Sequence, residues 1–371
     1  MRVLHIIHHL DSGGAEKLLV DIAEEMKNTG LKVEVLVLSN DGDIYSEKLK
    51  SLDVPVHFSP VNIVYHPLQL FVIKKILKNN FDIVHTHLYA PQLYIAIVKG
   101  FLNVQTVYIT TEHNTYNRRR DKRVFKYLDS WMYKKFTKII AISEGTKNEL
   151  NNYLPYTSKT TTVISNGIRL EQYIDAKPLK REELVKKINE NDKLIIMIAA
   201  MREQKDHETL IRASNLLPEN YHILFVGEGD RLKKVTDYAK KYGNNNIHFL
   251  GRRLDVPSIL KTCDIFVLSS KWEGFGLVAV EAMAAGLPVI VSNVPGLREV
   301  VDGVGNFFEV GDEKELAQQI LNTENETIDK HEANSLRNEK CLSYSIENTV
   351  SEYLQIYLEA INKPENFKIM L

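Results

Sequence analysis

Arg2-Val3-Leu4-His5-Ile6-Ile7-His8, followed by Gly13-Gly14 and then by a stretch from Ala15 to Lys27, decides how the rest of the chain is read. The first run is short and apolar, as a buried strand is. After the two glycines, Leu18, Leu19, Ile22, Ala23 and Met26 recur at helical spacing, and Gly30 ends the helix. A second apolar run, residues 33–38, follows at once. Strand, helix and strand in this order argue for a parallel sheet wound with helices.

The alternation continues outward from that start. Residues 54–58, 83–86, 107–110 and 139–142 read as strands, residues 68–77 and 91–98 as helices, and a long helix is expected between the last two strands. A second series begins near Lys193, with strands at residues 194–199, 223–226, 247–250, 265–268 and 289–291 and helices between them. The polar residues 168–179, with Pro178, read as a linker. A helix at about residues 346–361 falls beyond the second series. The expected class is α/β, two doubly wound parallel-sheet domains with a site in the cleft between them. The expected division is residues 1–170, 171–345 and a helical segment 346–371.

Composition agrees with this. A length of 371 residues suits two domains, and 44% hydrophobic with 26% charged residues marks a packed globular chain. With 47 basic and 48 acidic residues the net charge is −1, which argues against a general nucleic-acid binder. Cys263 and Cys341 are too few for a disulfide scaffold or a four-thiolate zinc site, and they favour a reducing compartment. The apolar start is too short for a signal peptide, and no run reaches the ~18 apolar residues of a membrane span. The expectation is a soluble protein, or one bound at most to a membrane surface.

Several motifs sit where strands give way to helices. Gly13-Gly14 lets backbone N–H groups meet an anion, or makes a tight turn and no more. Gly227-Glu228-Gly229 begins a dinucleotide fingerprint, but Leu232 stands where the third glycine belongs, so a nicotinamide cofactor is not expected. The sharpest signal is Trp272-Glu273-Gly274-Phe275-Gly276, followed by a helix that is apolar except for Glu281. A carboxylate inside such a helix is costly unless paired or bound to hydroxyls. Glu273 and Glu281 could therefore hold a polyhydroxylated ligand at two points. Arg202 and Lys205 follow a strand and suit a diphosphate. His113, in Glu112-His113-Asn114, could hydrogen-bond a reacting sugar. His85 and His87, with His8 and His9, could be read as metal ligands, but no acid or thiol set completes a site, and no metal is expected.

Residues 118–138, beginning at Arg118 and ending at Lys138, hold nine basic residues against Asp121 and Asp129, interleaved with Phe125, Tyr127, Trp131, Met132, Tyr133 and Phe136. One reading is a surface helix whose aromatics face the core. The other is contact with anionic lipid headgroups or a lipid diphosphate.

Taken together, these residues resemble the retaining glycosyltransferases of family 4, also called glycosyl transferases group 1. The resemblance covers essentially the whole chain. It rests on Gly13-Gly14-Ala15-Glu16, Ser165-Asn166-Gly167, Gln204-Lys205-Asp206-His207, Val226-Gly227-Glu228-Gly229 and above all Glu273 and Glu281. It implies a GT-B fold of two Rossmann-like domains, the first for acceptor and the second for nucleotide sugar, with the last helix crossing back to the first. By resemblance, Gly13 and Gly14 would face the donor diphosphate and His113 the donor sugar. Arg202 and Lys205 would neutralise the leaving group, and Glu273 would bind sugar hydroxyls beside the backbone of Gly274, Phe275, Gly276 and Leu277. Glu281 would hold the ribose, and the backbone at Arg253 and Leu254 would meet the base. The family arginine lies five positions before the lysine. Here Ala200 stands there, and Arg202 would have to replace it.

The implied enzyme is a retaining, metal-independent hexosyltransferase without a cofactor. It would take a nucleoside-diphosphate sugar, UDP by preference, and a glycan or polyprenyl-diphosphate-linked acceptor in polysaccharide or capsule synthesis. It would be cytoplasmic, peripheral on the inner face of the membrane. A nucleotide-sugar epimerase or hydrolase on the same fold, and a non-catalytic sugar-nucleotide-binding protein, stay open as alternatives.

Overall fold

The computed structural model describes residues 1–11, 13–102, 105–115, 117–323 and 330–362, the side chains of Arg118, Lys330, His331 and Glu332 excepted. The chain divides into two compact units: Met1–Gly167 together with the chain from Ile346 onward, and Ile168–Ser345.

In the first unit seven strands form one parallel sheet: β1 (Arg2–Ile7), β2 (Lys32–Val37), β3 (Val56–Phe58), β4 (Ile83–His87), β5 (Val107–Glu112), β6 (Lys138–Ala141) and β7 (Thr161–Val163). Their order is β3-β2-β1-β4-β5-β6-β7. The crossovers carry α1 (Gly14–Asn28), α2 (Ser46–Ser51), α3 (Gln69–Leu77), α4 (Tyr89–Val98), α5 (Arg123–Tyr133) and α6 (Glu144–Tyr153). Alternation along each strand sorts the side chains. Leu4, Ile6 and Val84 join Ile73, Tyr94, Ile95, Met132 and Tyr133 in one core. His5, His85 and His87 fall in the opposite set.

The second unit has six parallel strands, β8 (Lys193–Ile198), β9 (Tyr221–Val226), β10 (Ile247–Phe249), β11 (Ile265–Leu268), β12 (Val289–Ser292) and β13 (Asn306–Phe308), in the order β10-β9-β8-β11-β12-β13. Its helices are α7 (Glu171–Ile174), α8 (His207–Ala213), α9 (Leu232–Tyr242), α10 (Val256–Thr262), α11 (Leu277–Ala284), α12 (Pro295–Val301), α13 (Glu313–Asn322) and α14 (Lys330–Leu342). The residues expected to form a linker belong to this unit: Ile168 bridges Ser345, and α7 packs against α10 and α11.

The chain then returns to the first unit as α15 (Ile346–Ile361), which lies against α1 and buries Tyr353 and Tyr357 completely. The ends of the two units thus lie next to each other in sequence, at Gly167–Ile168 and Ser345–Ile346.

Residues 118–138 do not form the single helix expected. A 3-10 turn, Arg118–Asp121, is capped by the Asn117 side chain, which accepts from the Arg119 N–H at 3.0 Å. Lys122 is extended (φ −99°, ψ 118°), and α5 starts only after it. Lys138 already belongs to β6. No helix among the described residues is long and apolar enough to cross a membrane.

Candidate active site

In an open parallel sheet the strand order reverses at one point, and ligands collect outside the carboxyl ends of the strands there. In the second unit that point lies between β8 and β11. The loop after β8 carries Arg202 and Lys205; the loop after β11 carries Glu273. The Lys205 ammonium and the Glu273 carboxylate form an ion pair across the switch point, both largely buried. The two loops are also tied through backbone. Gln204 Nε2 donates to the Trp272 carbonyl at 2.8 Å, the Lys271 N–H donates to the Gln204 carbonyl at 2.8 Å, and Ser269 Oγ donates to the Asp206 carbonyl at 2.9 Å. Asp206 itself is left-handed (φ 47°) and turns the chain sharply into α8. The pair is thus held on a braced frame.

Glu273 also accepts from Ser270 Oγ and from the Gly274 N–H, each at 3.3 Å. The loop beyond it is tight for a reason. Gly276 has φ +90°, and a Cβ there would stand 2.3 Å from Leu297 Cδ2. Among the described residues no side chain caps α11, which leaves the Leu277 and Val278 N–H groups available to an anion, while that of Ala279 donates to the Gly276 carbonyl at 2.8 Å. Phe275 is buried, edge-on to Tyr344 at 5.4 Å, so only its backbone faces the loop's open side. Glu281 lies within α11 and is only 7% exposed.

Two further loops complete this edge. Gly227 and Gly229 follow β9. A Cβ on Gly227 would meet the Ala199 carbonyl oxygen at 2.1 Å, so glycine is what lets the two loops touch. Arg253, after β10, is held by Asp255 at 2.5 and 2.8 Å, while Leu254 is 78% exposed. Arg202 is exposed and forms no ion pair among the described residues. His207 is fully buried, and desolvation lowers its pKa to about 4.

In the first unit the switch point lies between β1 and β4. Gly13 caps α1 in an extended conformation and Gly14 begins the helix. Leu88, which caps α4, has φ +68°, a rare and costly conformation for leucine that nothing in the sequence signals. His113 follows β5, and its Nε2 lies 3.2 Å from His87 Nδ1. Burial lowers the His113 pKa to about 4.

His85 and His87 are joined by His5, which sequence reading passed over. All three are fully buried, with ligand-capable nitrogens within 4.8 Å of one another. Most of their ring nitrogens are hydrogen-bonded: His85 with Tyr357 Oη (2.6 Å) and Thr111 Oγ1 (2.7 Å), and His87 with His5 (3.0 Å) and His113, while His5 Nε2 has no partner among the described residues. Nearby, Tyr65, Tyr89, Arg119, Lys122 and Phe125 line an open groove of about 580 Å³. The Arg119 guanidinium lies 3.4 Å over the Tyr89 ring and pairs with Asp129. On α5, Met132, Tyr133 and, just beyond it, Phe136 face inward, whereas Val124, Tyr127 and Trp131 stay 69%, 81% and 40% exposed. The reading of a surface helix whose aromatics face the core thus holds for Met132, Tyr133 and Phe136 but not for Tyr127 and Trp131.

The profile described as "Glycosyltransferase Family 4" matches residues 12–172, and that described as "Glycosyl transferases group 1" matches residues 180–339. The chain belongs to this glycosyltransferase family. The glycosyltransferase is 26% identical over 339 residues to the UDP-Gal:alpha-D-GlcNAc-diphosphoundecaprenol alpha-1,3-galactosyltransferase of Escherichia coli, covering 86% of each chain. Its fold matches a glycosyltransferase from Rickettsia africae ESF-5 (TM-score 0.83, 24% identity, 98% of this chain and 99% of the other). It also matches Anabaena HepE in complex with UDP and glucose (TM-score 0.81, 21% identity, 96% and 99%). The fold of this glycosyltransferase is GT-B, with two parallel-sheet α/β domains.

Proposed function

We propose that this glycosyltransferase moves a sugar from a UDP-sugar to a lipid-linked glycan acceptor in polysaccharide synthesis, with retention of anomeric configuration. The observation that carries the reading is the Lys205–Glu273 pair at the switch point of the second sheet. Cleaving a glycosyl–phosphate bond leaves negative charge on the diphosphate and positive charge on the sugar ring. Lys205, Arg202 and the N–H groups opening α11 can stabilise the first without a metal. Glu273 positions Lys205 and offers an acceptor to sugar hydroxyls; Glu281 does the same for the ribose, and the backbone at Arg253 and Leu254 lies ready for the base. In the first unit, Gly13 and Gly14 offer N–H groups and His113 an imidazole at the carboxyl end of that unit's own sheet. In the step itself the anomeric C–O bond to phosphate breaks, and the acceptor oxygen bonds that carbon on the same face. The acceptor's proton passes to the departing phosphate oxygen, so no protein nucleophile is needed.

The named lipid-linked substrate of the Escherichia coli relative, and the groove where Tyr65, Tyr89 and Phe125 meet Arg119 and Lys122, support an acceptor with a polyprenyl diphosphate. The outward Val124, Tyr127 and Trp131, among Lys122, Arg123, Lys126 and Lys134, support docking on an anionic bilayer.

The first test is thermal stabilisation by UDP, GDP, ADP and dTDP. UDP at a hundredfold excess over its Kd should add about 2.7 kcal/mol, and Glu281→Ala should abolish the effect. No shift with any nucleotide would overturn the donor reading. Donor consumption without any acceptor would instead support a hydrolase or epimerase.

A further inference from the structure

His5 on β1 and His85 on β4 stand opposite each other in the sheet register, and His87 stands opposite Thr111 of β5. Alternation places their rings on one face, where α15 covers them through Tyr353 and Tyr357. A line of imidazoles leads outward from this core to the end of β5. His5 Nδ1 lies 3.0 Å from His87 Nε2, and His87 Nδ1 lies 3.2 Å from His113 Nε2. At the inner end, His5 Nε2 is buried and has no hydrogen-bond partner among the described residues. At the outer end, His113 is partly exposed, and Nδ1 is the ring nitrogen that His87 does not engage.

The protons on this line can be counted. Desolvation lowers the pKa of His5 to about 3 and of His113 to about 4, and holds His87 well below the ordinary value. Each ring is therefore neutral at neutral pH and carries one N–H, so the line can run in only two directions. If the protons point inward, His113 donates to His87, His87 donates to His5, and His5 is left with an N–H buried against nothing. If they point outward, His5 donates to His87, His87 donates to His113, and the orphan at His5 is a bare lone pair. An orphaned buried N–H is the rarer and costlier defect. The same reasoning gives His85 the opposite tautomer. The Tyr357 hydroxyl has one proton, which goes to His85 Nδ1, and His85 Nε2–H then donates to Thr111 Oγ1.

We propose that His5 and His87 are positioning residues that lock His113 as its Nδ1–H tautomer, so that His113 offers the bound nucleotide sugar a hydrogen-bond donor and cannot act on it as a base. The identity of that ligand rests on the transferase reading; the tautomer does not. The ligand group it meets must then be an oxygen with a free lone pair, such as a sugar hydroxyl or carbonyl.

The test is long-range 1H–15N correlation NMR on the ligand-free full chain labelled at its histidines, assigned by single replacements. Protonated Nδ1 with bare Nε2 is expected for His5, His87 and His113, and the reverse for His85. A protonated Nε2 on His113, or metal bound to His5 and His87, overturns the proposal. His87→Leu should let His113 exchange between tautomers and raise the donor KM about tenfold, the loss of one hydrogen bond, with a smaller change in kcat. His87→Asn, whose amide nitrogen replaces the Nδ1–H, should restore the tautomer and recover most of the KM. An unchanged His113 tautomer in His87→Leu also overturns the proposal. A wild-type chain that turns over no nucleotide sugar sinks the transferase reading alone, because the tautomers are read without ligand.

Discussion

Lys205 and Glu273 are 68 positions apart in the chain and in contact in the fold. Their residue types and their places after strands were legible in the sequence; their pairing was not, because only the strand order brings β8 beside β11. His5 shows the opposite limit. Within Arg2–Ile7 it reads as one polar residue in an apolar strand, and only the register against β4 shows that it joins His85 and His87. Lys205→Ala should lower kcat/KM by roughly 10²–10³. Glu273→Ala should do the same, and the double variant should be little worse than either alone, since the two act as a unit. Steady-state kinetics on the three variants checks this; multiplicative losses would argue against a shared role. Gly227→Ala is a stability prediction. Its Cβ would collide with the backbone oxygen of Ala199, which cannot move aside as a side chain can. A loss of at least about 1–3 kcal/mol is expected, read from denaturant unfolding.

Most elements were readable because strands buried on both faces are continuous apolar runs and the helices between them are amphipathic. The missed ones lack those signals. β7 is three residues, two of them threonine; β13 begins with Asn306; and α6 carries few apolar residues beyond Leu150. The split before α5 falls at the extended Lys122, after a 3-10 turn capped by Asn117, and periodicity registers neither. For α15 the range was legible but its grip on the histidine cluster was not. Tyr357→Phe would leave His85 Nδ1 without its donor and should cost about 1–2 kcal/mol, visible as a lowered Tm. On α5, exchanging the exposed Tyr127 and Trp131 together for alanine should abolish flotation with vesicles of anionic lipid and leave the fold unchanged by circular dichroism. Flotation that persists would place the membrane contact elsewhere.

Across the whole molecule, buried imidazoles are unevenly shared. His5, His8, His85, His87 and His113 of the first unit all have lowered pKa values through burial; in the second unit His207 and His248 do. A histidine whose folded pKa is depressed takes up protons first in the unfolded chain, whose histidines titrate near 6.5. Its contribution is therefore fully present above that value and is lost as pH falls toward the folded pKa of about 3 to 4 for the groups named with values. Stability should fall between pH 6.5 and 4, and the first unit should melt before the second as the solution is acidified. Calorimetry at pH 7.5, 6 and 5 would show the two transitions drawing apart; transitions that move in parallel would contradict it. The return of α15 also sets an order in time. The residues of the second unit leave the ribosome as one continuous stretch and can close their sheet at once. The first 167 residues, although made earlier, must wait until the segment from Ile346 has emerged before His85 can find Tyr357. A chain released after Ser345 would hold a finished second half and an unfinished beginning.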